Sequence, residues 1–284
     1  MRVLRAFFSR PLAGAASIIL VALAFLALTA DIIAPLRDAP QDLGNRLLPP
    51  GSTGDNGRFF LAGTDQLGRD MLTLLIHGTR VSLIVAVAAV VLGGGLGLLV
   101  GVISGYRAGW LDALLQRILD VQLAFPFLLL AMVIAAILGP GLINVIVVLA
   151  LTSWVSYAKV VRATSLGLMG RDFVEASRAV GGRSSTIIAR DIIPNVMSPF
   201  LVLASYEAAA MVIAEASLSY LGLGVPADLP TWGSMLSDGR DYVITAWWIA
   251  ALPGVALVIT ALSFNLLGDG LRDALDPTQK KGRR

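Results

Sequence analysis

Six apolar runs, each near the length that crosses a bilayer, constrain this chain more than any other feature. They fall at about residues 12–34, 81–103, 114–138, 143–157, 200–221 and 246–267. A stretch of ~20 apolar residues spans the hydrocarbon core as a helix. Lipid supplies no hydrogen-bond partners, so such a segment must satisfy its own backbone. The chain is 56% hydrophobic and 14% charged, against about 25% charged in ordinary soluble domains. The expected fold is all-α: a polytopic membrane protein with six transmembrane helices.

Charge placement orients these spans. Arg2, Arg5 and Arg10 precede the first run. Ala22-Leu23-Ala24 offers the small-residue pattern of a leader cleavage site, but the apolar run continues well past it, so the segment reads as a retained span. With the N-terminus inside, the inner segments are that terminus, residues 104–112, residues 158–198 and the C-terminal tail. They carry Arg107, Lys159, Arg162, Arg171, Arg178, Arg183, Arg190, Lys280, Lys281, Arg283 and Arg284, while the short outer loops hold little beyond Arg240. That is the positive-inside bias. The long loop at 35–80 departs from it with five arginines, and long translocated segments obey the rule less strictly.

Several readings follow span by span. Gly97, Gly101 and Gly105 lie four apart on one face of the second span, which suits close helix packing in lipid or packing along a path. An amphipathic stretch from Arg69 to Ile76 reads as lying along the membrane surface. Arg117 and Asp120 are placed to pair on the third span, which contains Pro126. Lys159 and Arg162 mark the exit of the fourth. Glu207 and Glu215, eight apart, share roughly one face of the fifth and must turn toward protein or a wet cavity, as path residues or as structural polar contacts. His77, the only histidine, is expected in an outer loop rather than as a ligand, and with no cysteine the chain offers no thiolate metal site.

The most polar inner segment, residues 171–199, reads as two short helices meeting at a glycine corner. Asp172 is placed to cap the first, with Glu175 in its first turn. Gly181 and Gly182 stop it. Ser184 or Ser185 is placed to cap the second, and Pro194 to bound it. A corner of this kind also resembles a DNA-reading helix-turn-helix. The membrane-length runs on both sides favour a docking element on the inner face and argue against a nucleic-acid partner. No G-x-x-x-x-G-K-[ST] phosphate loop and no Ser/His/Asp arrangement is present, so ATP hydrolysis is not expected here. A proton-coupled carrier using Glu207 and Glu215 as relays, or a non-transporting scaffold, remain as alternatives.

This elbow resembles the EAA loop of binding-protein-dependent ABC transporter permeases. Glu175, Ala176 and Ser177 are followed by Gly181, and Asp191-Ile192-Ile193-Pro194 stands where the family has I-x-L-P, so Ser177, Asp191 and Ile193 depart from the pattern. Two further stretches resemble the second permease subunit of dipeptide, oligopeptide and nickel importers. One is the G-T-D-x-x-G-R-D region, with Gly63, Thr64, Asp65, Gly68, Arg69, Asp70, Gly78, Arg80 and Ser82. The other is AEASLSYLGLG…WGSML, with Tyr220 in place of phenylalanine. The resemblance implies a type I ABC importer permease fold with a cytoplasmic coupling helix, and a multi-pass inner-membrane protein with both termini cytoplasmic. It divides the chain into 1–34 (tail and first helix), 35–80 (periplasmic loop), 81–270 (permease core including the 165–198 loop) and 271–284 (basic tail). It implies a second homologous permease, two ATPase subunits carrying ATP and Mg, and a soluble substrate-binding protein, with no cofactor on this chain. It places ATPase coupling on Glu175, Ala176, Ser177, Arg178, Ala179, Gly181, Arg183 and Pro194. The implied cargo is di- or oligopeptide, nickel or a related small solute.

Overall fold

A computed structural model describes residues 11–36, 41–55, 57–226 and 228–275. The terminal cations Arg2, Arg5, Arg10, Lys280, Lys281, Arg283 and Arg284 lie outside the described residues. The helices are α1 (Pro11–Ile33), α2 (Met71–Arg107), α3 (Trp110–Leu123), α4 (Phe127–Leu138), α5 (Leu142–Met169), α6 (Asp172–Ala179), α7 (Ser184–Ile187), α8 (Ile193–Tyr220), α9 (Trp232–Gly239) and α10 (Trp248–Leu275). A π-turn at Ile188–Ile192 joins α7 to α8, so Ser184–Tyr220 forms one apolar rod of 37 residues. That rod, α1, α2, α5 and α10 are each long and apolar enough to cross a membrane.

The sixth crossing is broken. The sequence suggests one helix over 114–138, but the chain bends by 87° between α3 and α4. Pro126 sits at the start of α4, where it supplies no N–H to the ladder and restricts Phe125 before it. The pair still traverses, because α2 and α5 run parallel. A β-carbon added at Gly93 would come within 2.9 Å of Ala150 O, at Gly97 within 2.5 Å of Trp154 O, at Gly101 within 2.7 Å of Ala158 O and at Gly105 within 2.9 Å of Arg162 O. The partner number rises with the glycine number. Two parallel neighbours need a return crossing between them, and α3–α4 supplies it. The glycine stripe is therefore a helix-packing face. In lipid, where apolar burial gives little drive, such close approach is what holds helices together.

The ends of three helices on the elbow side are tied by charge. Arg162 grips Asp112 through two contacts of 2.6 Å, Nε to Oδ1 and Nη2 to Oδ2, and the Ser104 hydroxyl donates to the same carboxylate. This joins α2, α3 and α5. Lys159 Nζ lies 3.2 Å from Asp120, so the partner of Asp120 is Lys159 rather than Arg117. Both cations belong to α5, which continues to Met169 instead of ending near Tyr157.

At the opposite end, residues 41–70 fold into a small cap. Ser52–Thr53 and Phe59–Phe60 pair as a two-stranded antiparallel ribbon. Asp65 is buried and accepts from the backbone N–H groups of Leu67 and Arg69, each at 2.8 Å, while Arg69 Nε donates to its other oxygen at 2.6 Å. Trp248 Nε1 donates to Thr64 O at 3.0 Å, fastening the cap to α10. Asp70 caps α2, accepting from Leu72 N at 3.1 Å and Thr73 Oγ1 at 2.9 Å. The stretch 69–76 is thus the start of a spanning helix, not a surface-lying segment, and the 80/81 boundary falls inside α2. His77 is likewise helical and buried, its Nε2 2.8 Å from the carbonyl oxygen of Ala34 at the end of α1. Replacing Asp65 by alanine is expected to leave two part-buried N–H groups and the Arg69 guanidinium without this acceptor, destabilising the cap by about 2 kcal/mol. Limited proteolysis within 41–70 should then accelerate at least tenfold while the spans stay resistant.

Candidate functional site

The elbow is built from α6, the glycine corner and α7. Helix α6 begins after Arg171, which has extended backbone and makes no side-chain cap. Asp172 is therefore the first helical residue rather than the cap, and with Glu175 it places two carboxylates in the first turn, where the helix dipole favours them. The helix ends in a Schellman turn. Gly182 N donates to Ser177 O at 3.0 Å and Gly181 N to Arg178 O at 2.9 Å. Gly181 has φ +77°, a conformation a residue with a β-carbon takes only under strain. Arg183, with extended backbone, precedes α7 and makes no side-chain cap, so neither Ser184 nor Ser185 is the cap. Pro194 does not end a helix. It lies at the start of α8, directly after the π-turn, where the widened ladder passes into the rod without needing its N–H.

One face of α6 is anchored and the other is free. Val174 is its only buried residue and packs with Val102 of α2, Val161 of α5, and Ile187, Ile192 and Val196 along the α7–α8 rod. Asp191 is half-exposed on the π-turn while the next residue, Ile192, is fully buried, so the charge stays out of this small inner core. Glu175, Ala176, Ala179 and Gly181 are exposed, as are Arg183 and Pro194; Ser177 is half-buried. Small residues beside exposed Phe173 and Val180 present a shallow, mixed surface, suited to a groove on another protein. Arg178 is exposed too, and within the chain it leans on Tyr106. Its guanidinium carbon lies 5.6 Å from the centre of the Tyr106 ring and its Nη2 is 3.0 Å from Met169 Sδ.

Glu207 and Glu215 separate into different roles. Glu215 is fully buried, accepting from Ser82 Oγ and Ser219 Oγ, each at 2.8 Å, with the Thr231 hydroxyl also against it. Its environment is a closed polar contact among α2, α8 and the approach to α9. Glu207 stands midway along α8, only half-buried, with the Ser156 hydroxyl of α5 against it. The elbow and the two glutamates are not brought together. What sequence reading missed is the clasp of Asp112 with Arg162, whose members are 50 residues apart, and the contact of Arg178 with Tyr106. Neither leaves a local pattern. Among the described residues, no group of His, Cys, Asp or Glu is arranged to hold a metal.

Residues 97–281 match the profile of the binding-protein-dependent transport system inner membrane component, and residues 1–50 match the N-terminal TM domain of oligopeptide transport permease C. The chain is 42% identical over 257 residues to the di/tripeptide transport system permease protein DppC of Pseudomonas aeruginosa, covering 90% of this chain and 84% of that one. It is 38% identical to the dipeptide transport system permease protein DppC of Alkalihalophilus pseudofirmus, covering 93% and 84%. It is 42% identical to the glutathione transport system permease protein GsiD of Pectobacterium atrosepticum, covering 77% and 72%. Among solved structures, an inward-facing MetNI methionine ABC transporter chain superposes with a TM-score of 0.61 at 22% identity, over 72% of this chain and 98% of that one, a likeness of fold.

Proposed function

This chain belongs to the family of binding-protein-dependent transport system inner membrane components, and from that membership we propose that it is one of two permease subunits of an ATP-driven peptide importer. It is a multi-pass membrane permease of the ABC transporter class. Its cargo is a short peptide: the relatives named above are permeases for di- and tripeptides or for glutathione, which favours peptide over nickel. A soluble binding protein delivers the cargo to the capped end. Two ATPase subunits hold ATP and Mg, one of them docks on this elbow, and this chain binds no cofactor. The elbow, the inner clasp and both described helix ends nearest the termini then face the cytoplasm; Pro11 and Ala13 of α1 line one crevice with Leu266 and Gly270 of α10, which supports a common side.

The observation that carries this reading is α6 itself. It is a short helix anchored to the spans by one valine, presenting Glu175, Ala176 and Ala179 outward and ending in a rigid turn at Gly181. ATP-driven closure of the ATPase pair moves such an element as a rigid body, and the spans follow between inward and outward openings. Glu207, half-buried at mid-span, is the better of the two glutamates for the path, and Glu215 is a structural contact.

The experiment is peptide uptake with ATPase co-purification in Gly181→Pro and Glu175→Lys variants. Proline fixes φ near −65° and cannot adopt the +77° of Gly181. Lysine at 175 reverses the charge in the first turn. Both variants are expected to insert normally, to lose most of their bound ATPase and to take up peptide at less than about a tenth of the parent rate, which corresponds to ~1.4 kcal/mol or more of lost coupling. Normal uptake by both would remove the docking role.

A further inference from the structure

We propose that Arg178 is a positioning residue that straps the elbow helix to the inner end of α2, so that a displacement of α6 reaches α2 through side chains as well as through the backbone of α5. The inference rests on the elbow being the ATPase-docking element and assigns a role inside it. Val174 and Arg178 lie one turn apart and so share a face of α6. The first is fully buried in the cluster that includes Val102 of α2; the second sets its guanidinium over Tyr106 of the same α2 and reaches Met169 at the end of α5. The cation of the strap, although solvent-exposed, thus lies on the side of the helix that meets Tyr106 and Met169. The face left for a partner holds Glu175, Ala176 and Ala179.

The chain geometry gives this tie its purpose. Helix α6 is covalently joined to α5 through Gly170 and Arg171, and to the α7–α8 rod through the glycine corner. Helix α2 has no covalent link to the elbow nearby, so α2 can follow it only through packing. A lone buried valine leaves α6 free to turn about that point. A second contact one turn away removes the rotation. An arginine over an aromatic face is directional and holds its orientation without needing full burial.

The test uses the complete transporter, with its second permease, ATPases and binding protein. The chain contains no cysteine, so Asp172→Cys and Arg107→Cys give a pair of spin labels across the strap. Both residues are exposed, Asp172 opening α6 and Arg107 ending α2, and neither belongs to the face left for a partner. In the parent a narrow distance distribution is expected, unchanged in width when ATP binds. Arg178→Ala should broaden it, keep the ATPase subunits bound, and lower peptide moved per ATP hydrolysed about threefold, the size expected for one exposed cation–aromatic contact. Tyr106→Leu should reproduce this, the double variant should be no worse than either single one, and Arg178→Lys should restore part of the loss. If Arg178→Ala strips the ATPases while Tyr106→Leu is normal, Arg178 is a rim contact and the proposal fails. Unchanged distances in both single variants also overturn it. Full ATPase binding and uptake in Glu175→Lys would remove the docking premise, a result separable from any behaviour of the strap variants.

Discussion

Gly101→Leu is expected to yield almost no folded protein. A β-carbon there would lie 2.7 Å from Ala158 O and from Val161 Cβ, so the clash is with backbone and with a fully buried, branched side chain. Neither can rotate away. Helices α2 and α5 would have to separate, and the whole stripe from Gly93 to Gly105 would lose its contact together. Overpacking a tight interior costs about 1–3 kcal/mol even where neighbours can shift; here the loss should exceed ~3 kcal/mol, because in lipid the packing itself is the driving force. Gly95→Ala is the internal control. A β-carbon at that position meets nothing within 4 Å, and alanine is the better helix former by about 1 kcal/mol. Size-exclusion profiles of the two variants in mild detergent, read by a fluorescent fusion, should show an aggregate for the first and a parent-like peak for the second.

Trp232→Ala is expected to loosen the outer end while leaving the elbow intact. The indole is fully buried, its Nε1 donates to Leu75 O at 3.2 Å, and it fits over Gly78, where a β-carbon would lie 2.8 Å from its ring. A capping box of Thr231 with Ser234 fixes the helix that carries it. Deleting a buried tryptophan side chain costs about 3–5 kcal/mol, which lowers the unfolding midpoint by on the order of 10 °C in a chain of this size. Trp232→Phe should lose only the Leu75 hydrogen bond and part of the packing, about 1 kcal/mol for the former. Co-purification of ATPase should survive both changes, since the elbow belongs to the separate inner core of Val102, Val161 and Val174. A variant that lost its ATPase as readily as its outer packing would show that the two ends are one cooperative unit.

Much of the fold is legible in the sequence, because apolar length is a one-dimensional signal. The spans, the glycine face and the turn at Gly181 all follow from local chemistry. So does the first elbow helix, from its first-turn carboxylates and the turn that ends it. Errors arise where a local rule meets a long-range partner. Residues 69–76 read as an amphipathic segment lying on the membrane surface, but Asp70 caps the helix that starts at Met71 and they open α2. Pro194 reads as a stop, yet the rod runs on through it from the π-turn. Pro126 reads as a kink within one span and is a break of 87°. Asp120 has Arg117 one turn away and pairs instead with Lys159, on a helix that no spacing rule connects to it. At the elbow, residue types are readable but intrachain neighbours are not: nothing local to Arg178 indicates that Tyr106, far back in the chain, lies beneath its guanidinium.

The same-direction pairing of α2 with α5 has a mechanical consequence. Two rods in backbone contact along four successive glycines cannot slip lengthwise past one another without lifting apart. A torque applied beyond Met169 is therefore shared by both, and the smallest piece of this molecule able to swing as a unit is a double strut rather than a single helix.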